Sequence, residues 1–88
     1  MSRDLPNKYS NRTASGLIKT GSGRLVGMYV NSTTAGTVKL WDNTSAAGTV
    51  MFNTITPAIG FHSFGNTAFN TGLFLTTGGT IDLTLVYE

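Results

Sequence analysis

The chain has 88 residues, with six Lys or Arg against four Asp or Glu, one His and no Cys. A chain of that length encloses one core, and the absence of thiols excludes disulfide staples and thiolate metal sites. One histidine and four carboxylates are a thin inventory for acid–base or nucleophilic chemistry, so the expectation is a non-enzymatic chain that needs no cofactor.

Met1–Thr13 is polar, contains Pro6 and has no hydrophobic period, which reads as an extended N-terminal arm ahead of a single domain over 14–88. It lacks the apolar stretch of a secretory signal, and no later segment approaches the roughly 20 apolar residues of a membrane helix. A soluble chain without membrane contact is expected. Arg3, Lys8, Arg12, Lys19, Arg24 and Lys39 all lie in the first half, and beyond Lys39 the only charges are Asp42, Asp82 and Glu88. A basic leading segment suggests contact with an acidic surface, with nucleic acid as the other functional reading and a solvated tail as the plain structural one.

From Ala14 onward short β-like runs alternate with Gly, Asn and Ser. Strands are predicted near Gly16–Thr20, Arg24–Asn31, Gly36–Trp41, Thr49–Ile55, Ile59–Phe64, Gly72–Thr76 and Thr80–Tyr87. About seven short strands imply an all-β fold, a compact antiparallel β-sandwich or barrel of jelly-roll-like kind. The segments Thr20–Gly23, Asn31–Gly36, Asp42–Gly48 and Thr77–Gly79 are rich in residues that tolerate turns and read as hairpin connections.

Two strands carry a facing prediction. In Thr80–Tyr87 the odd positions Ile81, Leu83, Leu85 and Tyr87 alternate with Asp82, Thr84 and Val86, so the odd face belongs to the core. In Leu25–Val30, Leu25 and Tyr29 fall on one side and Val26, Met28 and Val30 on the other. Both sides are apolar, which calls for a cover on each. Val26, Met28, Val30 and Trp41 are therefore the candidate subunit or partner contacts. With few large apolar residues for a core, a homo-oligomer is expected to supply part of the burial.

Candidate chemistry is sparse. His62 lies between Phe61 and Phe64 and reads as a packing or hydrogen-bonding residue, and its neighbour Ser63 makes no triad by adjacency alone. Asp42, with Asn43 and Thr44, reads as a turn-stabilising side chain in preference to a calcium ligand. Lys39 and Trp41 are the nearest approach to a basic and aromatic nucleic-acid surface, but the other cations are not gathered around them. Trp41 reads better as an interface anchor.

The blocks GRLVGMYVNSTTAGTVKLWDNTSAAGTV at Gly23–Val50 and FNTGLFLTTGGTIDLTLVYE at Phe69–Glu88 combine a Gly-rich strand with two turn-and-strand motifs. In these the chain resembles small structural proteins encoded among tailed-phage virion genes. The resemblance implies a β module made in the host cytoplasm and assembled on the virion, most simply a capsid cement or decoration protein at the capsid surface, with the major capsid protein as partner and a homotrimer as the common assembly. In that setting the arm residues Arg3, Lys8, Tyr9 and Arg12 would dock on the shell. A tail or fibre module binding a carbohydrate or host receptor through Trp41, His62 and turn Asn or Asp residues is the alternative.

Overall fold

The computed structural model describes residues 7–88; Arg3 lies outside them. The fold is all-β: six antiparallel strands, β1 (Lys8–Arg12), β2 (Gly16–Thr20), β3 (Gly23–Asp42), β4 (Thr49–Ile55), β5 (Gly60–Phe69) and β6 (Gly72–Tyr87), form one sheet. β3 and β6 are its spine, paired from Leu25↔Tyr87 to Trp41↔Phe74. β1 and then β2 run along the free side of β6, pairing with its C-terminal and N-terminal halves respectively. β5 and β4 divide the free side of β3 in the same way.

The sheet is therefore four strands wide and doubled over near its middle. One layer has the order β2, β6 (first half), β3 (second half), β4; the other has β1, β6 (second half), β3 (first half), β5. Leu73, Leu75, Val38 and Leu40 from the first layer meet Leu25, Met28, Val30, Ile81, Leu83 and Leu85 from the second in one core with Phe64 and Phe69. Across the seam, the Phe52 ring of β4 lies 4.7 Å from that of Phe64 on β5. The odd-numbered face of the last strand is buried as the alternation requires, with Tyr87 packed at its margin.

Three expectations need correction. Asn31–Gly36 and Thr77–Gly79 do not close hairpins: β3 and β6 run on through them, so four expected strands are two long ones. The residues suited to positive φ serve as bulges instead, with Ala35 at φ 54° facing Gly79 at φ 66° and register shifts at Val30/Ser32 and Thr34/Ala35. A bulge bends a strand without ending its pairing, and here it doubles the sheet. Gly36 fits inside the bend because a Cβ there would lie 2.6 Å from Ile81 Cβ and 2.7 Å from the Thr80 carbonyl.

Second, Thr20–Gly23 is no hairpin either. β2 pairs with β6, and the chain crosses between layers at Gly21–Ser22, where the Gly21 N–H donates to the Thr71 carbonyl at 2.9 Å. Asp42–Gly48 is the one of the four that joins directly paired strands, since Asp42 faces Thr49. Third, Lys8–Arg12 of the expected arm is strand β1, held along β6 from Lys8↔Tyr87 to Arg12↔Leu83. Its polar alternation hid it, because an edge strand needs few apolar residues.

Candidate functional surfaces

Against β6, β3 has one extra residue between Leu25 and Gly27, and this bulge resets the facing of β3, because side chains alternate with a period of two. Leu25, Met28 and Val30 all point into the core, each fully buried, while Tyr29 points out at 47% exposure. Met28 and Val30 are thus core residues with no surface to offer a partner. Val26, at the bulge, is half-buried.

The outer face of the second layer carries Tyr29, Phe61, Val86 and Tyr9. Register places Asn11, Thr84, Tyr29 and Phe61 in one row across β1, β6, β3 and β5, with Tyr9 opposite Val86 in the next. The Phe61 ring lies over Gly27, where a Cβ would come within 2.4 Å of it. Beside the aromatics is a polar lattice: Asn11 Nδ2 donates to Asp82 Oδ1 at 2.9 Å and to Thr84 Oγ1 at 3.1 Å, and Asn31 Nδ2 reaches the same two atoms at 3.3 Å.

On the outer face of the first layer Leu17, Phe74, Trp41 and Val50 form a row across all four strands. Trp41 is partly covered by its own chain: Lys39 Nζ sits 4.4 Å from the ring centroid and the indole N–H donates to Thr76 Oγ1 at 3.0 Å. This cation–π pairing engages the two residues with each other, leaving less of either for a nucleic acid. Trp41 and His62 stand in different layers and do not converge on one ligand. His62 Nε2 contacts the Ala58 carbonyl at 2.8 Å, and Ser63 Oγ accepts from the Gly65 N–H at 3.1 Å, so each has a local structural bond.

The two edges differ. Along β1 and β2 lie Lys8, Arg12 and Lys19, with Tyr9 beside them 76% exposed. Lys8 and Tyr9 face solvent, whereas Arg12 folds back on its own edge. Its Nε donates to Ser10 Oγ and its guanidinium to the Leu17 carbonyl, both at 2.9 Å, across the break between the strands. Arg12 is therefore a structural brace, and among the described residues Lys8 and Tyr9 are the exposed docking candidates of the arm.

Asp42 serves the loop between β5 and β6. Its Oδ1 accepts from the Thr71 N–H at 2.8 Å, both oxygens accept from Asn70 N–H at 3.0 Å, and Gly72 N–H is 3.4 Å away. Burial pushes its carboxyl up, but the N–H groups of Thr71, Asn70 and Gly72 together outweigh that and hold it below the ordinary carboxylate value. No cluster of three His, Asp or Glu side chains and no pocket occurs among the described residues.

Sequence reasoning missed Tyr29, Ile59 and Phe61 as surface residues. The bulge that turns Tyr29 outward leaves no sequence signal, and Phe61 stands out in the sequence only as a neighbour of His62. Comparison with known proteins matches the chain to no family model, no curated protein and no solved structure.

Proposed function

We propose that the chain is a structural component of a phage virion, a decoration module that seats on the capsid surface as a homo-oligomer. The observation that carries this reading is the asymmetry of the two sheet edges: a basic one with exposed Lys8 and Tyr9, and an uncharged one formed by β4 and β5. A module that must hold a larger surface and its own copies needs two chemically distinct contact zones. The likeness of Gly23–Val50 and Phe69–Glu88 to tailed-phage structural proteins supports the virion as its setting.

In this reading Lys8 and Tyr9, with the residues that precede them, meet an acidic patch of the major capsid protein. Many modest contacts acting together then reinforce the shell by avidity. Cryo-electron microscopy of particles carrying the chain tests this: density on the shell is expected, and absence from the particle overturns the reading. Lys8→Glu combined with Tyr9→Ala should reduce occupancy on the shell.

A tail or fibre module for a carbohydrate is the second reading, favoured by the Tyr29 and Phe61 rings beside the ordered Asn11, Asn31 and Asp82 side chains. Density at the tail tip, together with saturation transfer from Tyr29 and Phe61 to a glycan, would replace the shell reading with this one.

A further inference from the structure

Residues 43–81 contain no Asp, Glu, Lys or Arg, and they include all of β4 and β5. Of the seven large apolar side chains exposed among the described residues, Val50, Ile55, Ile59 and Phe61 lie on or beside this edge. β4 and β5 each pair with β3 alone, so one side of each has no neighbouring strand among the described residues. Sheet edges are normally guarded against further pairing by charge, proline or bulges.

The two strands differ in how they meet that requirement. β4 is bulged twice, with register shifts at Leu40/Trp41 and Val38/Leu40. Gly60–Ser63 of β5 pairs with Gly27–Val30 in unbroken register, flanked by Ile59 at 64% exposure and containing Phe61 at 56%. Apart from the ionisable His62, this stretch has no charged side chain, and it has no bulge. It is the unguarded part of the edge.

We infer that Gly60–Ser63 pairs with the same segment of a second copy, antiparallel about a two-fold axis, so that the layer containing β5 continues from one chain into the next. A second copy fits because the segment is its own complement: with His62 neutral it carries no charge, and a two-fold at Phe61 sets the Phe61 side chains of the two chains opposite each other with Ile59 diagonal to them. The opposite edge is unsuited to such pairing, since Lys8, Arg12 and Lys19 would face like charges. A strand of an acidic or basic partner would find no counter-charge here.

The contact is short, well under the roughly 1,000 Å² of a firm interface, so the pair forms at high protein concentration and is consolidated when copies are held on a common surface. Such pairing is two-fold, in contrast to the trimer implied by resemblance. The inference rests on the oligomeric part of the proposed function but not on shell docking, which uses the other edge.

The chain has no cysteine, so single introduced thiols report the contact. Under mild oxidation Phe61→Cys, an exposed position that the two-fold sets next to its own copy and so within disulfide reach, should form disulfide dimers at least about tenfold faster than Lys8→Cys, because pairing raises the effective concentration at one edge only. Sedimentation of the full unmodified chain should reveal a monomer–dimer equilibrium. Ile59→Lys, at an exposed position outside the strand, should abolish it with an unchanged circular-dichroism spectrum. A monomer at millimolar concentration, equal cross-linking at the two edges, or an unaltered Ile59→Lys dimer would each overturn the inference. Shell binding by a chain that stays monomeric would defeat the pairing and leave the docking reading standing.

Discussion

At the scale of single residues, Asp42 is the side chain with the most distributed effect. It ends β3, yet its carboxylate organises the backbone of Asn70–Gly72, so it links the hairpin after β3 to the loop that enters β6. Asp42→Asn should cost about 1–2 kcal/mol at neutral pH, the scale of charge-assisted hydrogen bonds reduced by partial exposure. Because the folded carboxyl lies below its unfolded value, its stabilisation is present above the unfolded value and is lost as pH falls through the folded one. Urea titrations from neutral pH downward should therefore find the wild type losing its advantage over Asp42→Asn in the acid range below the ordinary carboxylate value. Leu83 makes the apolar counterpart: it is fully buried at the centre of β6, and Leu83→Ala should lower unfolding free energy by about 3 kcal/mol in the same assay.

At the scale of elements, the bend in β3 and β6 is what turns a four-stranded sheet into two layers. Gly36 lies inside it, against Ile81 and Thr80. Gly36→Ala has no room and should destabilise by about 1–3 kcal/mol, as overpacking does, with a lowered urea midpoint and retained strand content. β1 is the other element with a measurable role. Removing residues 1–13 strips one of the two partner strands from Leu83–Tyr87 of β6, leaving β3 on its other side, and Tm should fall on the order of 10 °C. A truncation that loses shell binding would thus mix docking with destabilisation, which is why the exposed pair Lys8 and Tyr9 makes a cleaner probe.

At the scale of the whole molecule, one edge carries Lys8, Arg12 and Lys19 and the other carries no Lys or Arg, so the two proposed contacts have different expected signatures. Docking through Lys8 and its neighbours should weaken several-fold as ionic strength rises from about 0.05 to 0.5 M, because the Debye length shrinks across that range. Self-pairing through an uncharged edge should change little over it. Binding of labelled chain to purified particles at several salt concentrations, set beside sedimentation under the same conditions, separates the two.

The β character was legible in the sequence because it rests on local chemistry. Val, Ile, Thr and aromatic runs between glycines placed Gly16–Thr20 and Thr49–Ile55 with the bounds they have, and the alternation of Ile81, Leu83 and Leu85 gave the core face of β6. The crowding of cations into the first half was equally plain, since charge is read residue by residue. What the tertiary structure alone decided was every feature set by pairing. Turn-forming residues at Asn31–Gly36 and Thr77–Gly79 lie instead within continuous strands that stay paired through them, with Ala35 opposite Thr80 and Thr37 opposite Gly78 in the β3–β6 ladder, and no local pattern distinguishes a bulge from a hairpin. A single extra residue near Val26 sent Met28 and Val30 inward and Tyr29 outward. The basic segment became a paired edge for the same reason: the partner that orders Lys8–Arg12 is β6, more than seventy positions along the chain.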